Sequence, residues 1–163
     1  MSQKIADKLY LRHAGAEDEE FLFRLYVAGR SRELETVGWN QEQIENFCEM
    51  QYRALMWQHK LSFAGAEDQI VQLGQERIGR LKVLETDERL LLVDIALVPQ
   101  FQQQGIGTEL LEQLKTRARE ARKPLRLHAL VGSAGLRLYE RLGFTRTGED
   151  NAYIEMEYQS NDQ

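Results

Sequence analysis

The sequence predicts a mixed α/β (α+β) fold, on three observations. Short apolar segments typical of strands alternate with longer segments whose apolar residues recur at helical spacing. Short turns join three consecutive strands near the middle of the chain, which indicates an antiparallel meander. A glycine-containing turn then connects an apolar strand to a helix. The predicted order is β, α, α, β, β, β, α, β, α, β, β, with a mixed central sheet of about six to seven strands.

Length and composition indicate one domain. The chain has 163 residues, of which 42% are hydrophobic and 29% charged, so it is long enough to bury a sizeable core. We expect a single domain over residues 1–163, with a core at about 8–158 and short flexible termini. No apolar run approaches the ~18 residues of a membrane span, and residues 1–8 lack the apolar segment of a signal peptide.

These features predict a cytoplasmic protein without a membrane partner. Cys48 is the one cysteine, which excludes an intrachain disulfide and agrees with a reducing compartment. The net charge of −5 argues against nucleic acid as a partner. No pair of His, Cys or carboxylate residues has metal-ligand spacing on one element, so we expect no metal.

The N-terminal part reads as a strand followed by two helices. Leu9–His13 is the predicted strand, and Glu17–Val37 reads as helical, in one or two pieces. Gly38 and Trp39 interrupt the helical pattern, and Asn40 is a candidate N-cap for a second helix over 41–59. Cys48 lies on the apolar side of that helix and is predicted to be a buried structural thiol.

The rest of the chain alternates strands with two further helices. Ser62–Ala64 and Gln69–Leu73 together read as the second strand of this order. Further strands are predicted at Arg77–Glu85, Leu90–Val98 and Leu125–Leu130, with a last hairpin of Phe144–Thr147 and Ala152–Tyr158. Helices are predicted at Gly105–Ala121 and at Ser133–Leu142, where Gly143 is a candidate C-cap.

The turn between the strand ending at Val98 and the following helix predicts an anion site. Gly105 and Gly107 allow the backbone to approach a ligand closely. The free N–H groups of the first helical turn and the helix dipole suit phosphate. We therefore predict a phosphorylated cofactor. Arg117, Arg119, Arg122 and Lys123 cluster near the other end of this helix, either as favourable helix-terminal charge or as contacts to a cofactor phosphate or an acidic partner.

Two motifs resemble those of the GNAT superfamily of N-acetyltransferases, in a bacterial-type member. The first is Gln-x-x-Gly-x-Gly, at Gln102, Gly105 and Gly107. The second is Leu-Tyr-x-x-x-Gly-Phe, which starts at Leu138 and ends at Phe144. The resemblance covers about residues 10–158 and is specific over about 93–144. It implies a sheet that splays between the fourth and fifth strands, with acetyl-CoA as co-substrate in the gap.

The resemblance also implies which residues bind the cofactor. The pantetheine arm pairs with the end of the fourth strand, and the pyrophosphate lies on the glycine turn. The implied residues are Ala96, Leu97, Val98, Gln102, Gln103, Gln104, Gly105, Ile106, Gly107, Thr108, Ser133 and Tyr139. Ser133 stands where many relatives have an asparagine, and a hydroxyl offers fewer hydrogen-bonding groups than an amide. We infer weaker cofactor binding at that position.

Candidate catalytic residues follow from the same resemblance and from local chemistry. The N–H of Leu97 or Val98 is the implied oxyanion donor, and Tyr139 is the implied general acid for the leaving thiolate. For the general base, His128 has a suitable imidazole. Asp94 interrupts an apolar strand and must be paired or face a cleft. A water chain is the third alternative, and both side chains also have ordinary structural explanations.

The acceptor side is expected between the two N-terminal helices and the last hairpin. Glu33 and Glu35 could attract a cationic amine, and Trp39 could stack on it. The alternative is a solvated acidic turn with Trp39 in the core. Gln51, Tyr52 and His59 are further candidates on the second helix.

These expectations combine into an acetyl-CoA-dependent N-acetyltransferase. It would move an acetyl group directly, in a ternary complex, to a primary amine of a small molecule or a protein, and a homodimer is possible. The alternative is a non-catalytic module that binds or senses acyl-CoA. A dinucleotide enzyme is disfavoured, because Gly105 and Gly107 follow the fourth strand and no third glycine stands at the required spacing.

Overall fold

The computed structural model describes residues 5, 7–133 and 135–160, and it confirms the predicted fold class and element order. The strands are β1 Leu9–His13, β2 Glu67–Leu73, β3 Glu76–Glu85, β4 Leu90–Leu97, β5 Leu125–Leu130, β6 Thr145–Glu149 and β7 Tyr153–Tyr158. The helices are α1 Glu19–Glu35, α2 Gln41–Ser62, α3 Ile106–Ala121 and α4 Gly135–Arg141. Short 3-10 turns lie at Ala16–Asp18 and Pro99–Phe101.

Element boundaries differ from the prediction in a few places. The strand predicted at Ser62–Ala64 is wrong, because α2 continues to Ser62 and the Phe63 N–H closes it on the His59 carbonyl at 2.8 Å. Three residues are too few to reveal a strand period. The helix predicted from Ser133 begins at Gly135, and Ala134 lies outside the described residues. Of the predicted flexible termini, residues 1–4, 6 and 161–163 also lie outside the described residues.

Asn40 is the N-cap of α2, as predicted. Its side-chain oxygen accepts a hydrogen bond from the Gln43 N–H at 2.9 Å, and the Gln43 side chain accepts one from the Asn40 N–H at 2.9 Å. This reciprocal pair is a capping box, which fixes where the helix starts and therefore which face turns inward. Ile44 and Cys48 on that face form a small core with the buried residues of α1, so the prediction of a buried thiol is confirmed.

The sheet separates two packing layers. Its strand order is β1-β2-β3-β4-β5-β7-β6. Arg80 and Lys82 of β3 contact α2, while Leu81 and Val83 join the main core with the apolar residues of α3. Successive side chains of a strand point to opposite faces, so α2 and α3 cover opposite faces of the sheet.

The parallel strands β4 and β5 separate along their length. They pair only at Leu90–Leu125, Leu91–Arg126 and Leu92–Leu127. β4 nevertheless continues to Leu97 and β5 to Leu130. The pairing of β4 with β3 skips Val93, since Lys82 pairs with Asp94 and Val83 pairs with Leu92. Val93 is therefore a β-bulge, and a bulge bends its strand, which turns β4 away from β5 at this point. The predicted splay is confirmed, and it opens a gap between the carboxyl ends of the two strands.

Candidate active site

A cavity of about 350 Å³ occupies the gap between β4 and β5. It brings together four residues that the sequence singled out, since Asp94, His128, Ser133 and Tyr139 all line it. They come from β4, from β5, from the turn after β5 and from α4, so the splay is what allows them to meet.

A second cavity of about 480 Å³ adjoins the first. Asp94 and His128 line both cavities and therefore stand at their junction. The remaining wall is formed by the end of α2, with His59 and Phe63, and by the β6–β7 region, with Tyr153. The two cavities therefore meet at the carboxylate of Asp94 and the imidazole of His128.

The backbone of β4 presents one of the two predicted oxyanion donors to the gap. The Val98 N–H donates to the Ile78 carbonyl of β3 at 2.8 Å. Hydrogen-bonded and non-hydrogen-bonded pairs alternate in an antiparallel ladder, so Leu97, paired with Gly79, directs its N–H away from β3. Of the two candidates, therefore, Leu97 faces the gap and Val98 is engaged within the sheet. The Gln102 side chain donates to the Leu97 carbonyl at 3.0 Å and holds this strand end.

The glycine turn forms an anion cradle at the start of α3. Gly105 is the N-cap with φ +82°, a left-handed conformation that favours glycine. At Gly107, an added Cβ would meet no described atom within 4 Å. Packing within the protein therefore does not require a glycine at Gly107, whereas a ligand bound close to the first-turn N–H groups would require one. The bare backbone and the helix dipole fit a diphosphate without a lysine.

Three residues of the basic cluster near the end of α3 form ion pairs or hydrogen bonds within the protein. Arg117 pairs with Glu67 at 2.7 Å and with Glu85 at 2.9 Å. Lys123 pairs with Glu85 at 3.0 Å. Arg119 donates to the Tyr158 hydroxyl at 3.0 Å. These contacts favour a structural role for the cluster over contact with a cofactor phosphate.

Tyr139 is held in the gap by close packing of its ring. The ring packs at 5.8 Å between centroids, edge to face, on Phe144, the last residue of the second motif. A Cβ added to Gly135 would come within 3.2 Å of the same ring, so glycine permits this close approach. Burial, and then the nearby charge of Asp94, raise the pKa of Tyr139. The phenol therefore stays protonated at neutral pH.

Asp94 belongs to a row of charged side chains across three strands. Lys82 lies between Asp68 and Asp94 in register on β2, β3 and β4. Burial raises the pKa of the Asp94 carboxyl, and the positive charges of Arg80 and Lys82 partly offset this effect. The carboxylate at the junction of the two cavities is therefore more basic than an ordinary aspartate.

His128 lies at the more solvent-accessible side of the junction. Its side chain is 49% exposed, and its Nε2 atom is 3.7 Å from a carboxylate oxygen of Glu155 on β7. His128 thus has both a partner and access to the two cavities.

Polar residues of α2 and of the side of β3 that faces it also border the site. His59 was among the candidates from the sequence, whereas Arg80 and Lys82 of β3 were not. His59 is buried, lines the second cavity and lies 3.2 Å through Nδ1 from the Lys82 ammonium. Arg80 is also buried and makes a two-fold ion pair with Asp68, at 2.8 and 2.7 Å. The alternation of Arg80 and Lys82 within an apolar strand was the signal for this polar face.

The predicted substrate contacts at the α1–α2 turn lie elsewhere. Trp39 packs edge to face on Phe47 at 5.1 Å and borders the small core between the helices. Glu33 pairs with Arg30 at 3.4 Å. Neither Trp39, Glu33 nor Glu35 lines either cavity. This placement favours the alternative of an acidic turn with Trp39 in the core.

The described residues contain neither a candidate metal site nor a candidate membrane-spanning helix. No group of three or more His, Cys, Asp or Glu residues within 7–133 and 135–160, or at residue 5, is arranged to hold a metal ion. In the same part of the chain, no helix combines the length and apolar character needed to cross a membrane.

Comparisons with known proteins agree with this geometry. A family model described as Acetyltransferase (GNAT) domain matches residues 59–146. No curated protein matched the sequence. Among solved structures, the PaiA N-acetyltransferase from Thermoplasma acidophilum in complex with coenzyme A has a TM-score of 0.68 at 20% identity, with 93% of this chain and 98% of that chain covered.

Two further structures are similar. A GNAT family acetyltransferase from Elizabethkingia anophelis with acetyl-CoA bound has a TM-score of 0.62 at 21% identity, and the match covers 94% of this chain and 99% of that one. An acetyltransferase from Thermus thermophilus has a TM-score of 0.67 at 16% identity, with 93% and 96% covered. At these identities the likeness shows the fold.

Proposed function

Because the chain belongs to the GNAT acetyltransferase family, we propose that it is an acetyl-CoA-dependent N-acetyltransferase whose acceptor is a primary amine of a small molecule or a protein. The observation that carries the proposal is the junction of the two cavities. There, a half-buried carboxylate with a raised pKa and a protonated phenol line the gap beside a strand end with an outward N–H.

The cofactor side of the site is proposed along β4. The first-turn N–H groups of Ile106, Gly107 and Thr108 bind the diphosphate, and the Leu97 backbone orients the pantetheine arm toward the first cavity. Bound acetyl-CoA supplies a thioester, which is an activated acyl group. Ser133 lines this cavity and donates one hydrogen bond where an asparagine would offer more groups.

Three groups of this chain act on the reaction. The Leu97 N–H stabilises negative charge on the carbonyl oxygen, and the fixed position of both reactants provides the alignment. Asp94 accepts the proton that the amine nitrogen loses as it bonds to the carbonyl carbon. Tyr139 donates its phenolic proton to the sulfur as the C–S bond breaks, and it is then reprotonated from solvent.

Asp94 is the preferred base because of where it lies. It stands at the junction, is less exposed than His128 and has a raised pKa, whereas His128 is half exposed and paired with Glu155. His128 is proposed to contact the acceptor at the mouth of the second cavity. The matching of a base's pKa to neutral pH is what makes proton transfer efficient.

The decisive experiment measures binding and turnover separately. Calorimetric titration with acetyl-CoA, with NAD as the control ligand, tests the cofactor site, and thiol release with a panel of primary amines tests transfer. We expect micromolar binding of acetyl-CoA alone, and turnover that Asp94→Asn lowers by about 100-fold without loss of that binding.

Other outcomes separate the alternatives. Binding of acetyl-CoA without turnover on any amine would favour the non-catalytic acyl-CoA module. Absence of acetyl-CoA binding would contradict the proposal and leave only the family and the fold. Full activity of Asp94→Asn would assign the base to His128 or to water.

A further inference from the structure

His59 and Lys82 form a buried contact behind the wall of the second cavity. His59 lies on α2 and Lys82 on β3, and their Nδ1 and Nζ atoms are 3.2 Å apart. Burial, and then the charge of Arg80, lower the pKa of Lys82, while the carboxylates of Asp68 and Asp94, between which it lies, partly offset this and favour the ammonium form. An ammonium has donors only, so it donates this hydrogen bond and Nδ1 accepts it.

This contact determines which nitrogen of His59 carries the proton. Burial first, and then the charges of Lys82 and Arg80, lower the pKa of His59 to about 4, so the ring is neutral at pH 7. A neutral imidazole has one N–H, and Nδ1 is the acceptor. The proton is therefore on Nε2, and His59 is a donor and not a base toward the cavity.

His59 lines the second cavity, and its Nε2 atom has no hydrogen-bond partner among the residues that the structure describes. Among the described residues, the only hydrogen bond of His59 through its ring is the one to Lys82. No buried side-chain nitrogen or oxygen in the described chain lacks a partner. Since Nε2 has no protein partner, it is accessible, and the cavity that His59 lines is the space it reaches.

The other walls of this cavity are mainly apolar. Leu55, Phe63, Leu91 and Leu130 line it together with Tyr153, and Asp94 and His128 lie where it meets the first cavity. Asp150 is a further acidic residue of its wall. An amine directed at Asp94 would therefore extend an apolar body along the cavity. The N–H of His59, with the neighbouring Gln58 amide, is a polar point on that path. A donor in apolar surroundings selects for a matching acceptor atom.

We propose that His59 is a specificity-determining residue of the acceptor cavity, whose Nε2–H donates a hydrogen bond to an oxygen on the acceptor amine. The preferred acceptors are then amines with an apolar body and a hydroxyl or carbonyl oxygen, rather than plain alkylamines. This inference rests on the proposed acetyltransferase function. Lys82 is a positioning residue, since it acts by holding the His59 tautomer.

The test compares isosteric acceptors that differ in one group. Acetyl transfer is measured for tyramine against its para-methyl analogue and for aminopentanol against hexylamine. We expect the wild type to favour the hydroxyl member by about tenfold in kcat/KM, mainly through KM. His59→Phe should reduce this ratio to about one, and His59→Gln, which keeps a donor near the Nε2 position, should restore part of it.

Controls separate this inference from folding and from the function itself. Trp57→Phe, on the exposed face of α2, should keep the wild-type ratio. Heteronuclear NMR of the imidazole nitrogens should show the Nε2–H tautomer in the free protein, and Lys82→Met should change it. Thermal melts and acetyl-CoA titrations of each variant report folding and the cofactor site.

The inference is overturned if the wild type acetylates both members of each pair equally, if His59→Phe keeps the preference, or if the free protein has the proton on Nδ1. In each of these cases acetyl-CoA binding stays intact and the proposed function stands. If the wild type fails to bind acetyl-CoA, the function and this inference both fail.

Discussion

At the scale of single residues, the surroundings of Tyr139 and Asp94 determine their chemistry. Both lie in the gap between β4 and β5, and burial raises both pKa values. The same physical cause keeps a phenol protonated as a proton donor and makes a carboxylate a better proton acceptor. Two groups with opposite roles can therefore share one cavity.

Tyr139→Phe removes the proton donor and leaves the ring packing on Phe144 in place. We expect kcat for acetyl transfer to fall by about 100-fold, because general acid catalysis is lost, with acetyl-CoA affinity almost unchanged. Thiol release and calorimetry measure the two quantities. Tyr158→Phe is the matched control, since that ring also contacts Phe144 but lines neither cavity. Unchanged kcat in Tyr139→Phe would exclude the phenol as the acid.

His59 links stability to pH. Its pKa is about 4 in the folded protein, against about 6.5 in an unfolded chain. Between these values the unfolded state binds more protons, so the free energy of unfolding falls as the pH decreases through this window. Lys82, Arg80 and Asp68 are the charged groups that act on the ring.

Between pH 7 and pH 4.5, the free energy of unfolding should fall in both proteins. We expect the fall to be smaller in His59→Gln than in the wild type by about 2–3 kcal/mol, because the variant has no buried imidazole to protonate. Denaturant unfolding at both pH values measures this difference. His13→Gln, at an exposed position of β1, is the control and should follow the wild type. Equal pH dependence in wild type and His59→Gln would mean that the buried ring titrates normally.

At the scale of elements, the turn before α3 combines a structural glycine with one that packing does not require. Gly105 has a positive φ, whereas Gly107 lies in the first turn of the helix with open space where a Cβ would stand. A glycine in a helix is less stable than alanine, so its presence at Gly107 has a cost in folding. Close approach of the proposed diphosphate to the backbone would explain why a glycine stands there.

Gly107→Ala should therefore act in opposite directions on stability and on binding. The free energy of unfolding should rise by about 0.5–1 kcal/mol, and acetyl-CoA should bind at least about tenfold more weakly, because the methyl group occupies the diphosphate position. Gly29→Ala, in α1 with equally open space, should give the stability gain alone. Normal acetyl-CoA affinity in Gly107→Ala would exclude the cradle.

At the scale of the whole molecule, Asp18 joins distant parts of the chain. Its buried carboxylate accepts two hydrogen bonds from Arg12 of β1 at 2.8 Å and one from Arg77 of β3 at 3.2 Å. The Gly15 N–H also donates to it at 2.9 Å. The Arg12 guanidinium, chiefly, holds the pKa of Asp18 well below its usual range.

We expect Asp18→Asn to lower the free energy of unfolding by about 2–3 kcal/mol at pH 7, because it leaves charged donors unsatisfied at a buried site. A lowered pKa stabilises the fold above the unfolded value of about 3.9, and this stabilisation is lost as the pH falls below it. The difference from wild type should therefore shrink on acidification. Asp87→Asn, in the exposed β3–β4 turn, is the control for denaturant unfolding; an equal effect at both sites would contradict the role of Asp18.

The features predicted correctly from the sequence are local ones. The capping box of Asn40, the glycine turn before α3 and the order of strands and helices each depend on residues a few positions apart. Backbone preferences, side-chain periodicity and caps act over that distance, and they suffice to identify the elements and the family.

By itself, then, the sequence determined the fold class and the glycine turn at Gly105 and Gly107, and it predicted an anion site there and Tyr139 as a candidate donor. Tertiary structure alone decided that Asp94 and His59 face one cavity and that Leu97, not Val98, directs its N–H into the gap. It also placed Trp39 outside both cavities. The physical reason is that strand register and the bulge at Val93 determine the face of the sheet on which each side chain lies and the neighbouring strand toward which each N–H points. Register in turn depends on pairing between segments that are distant in the sequence.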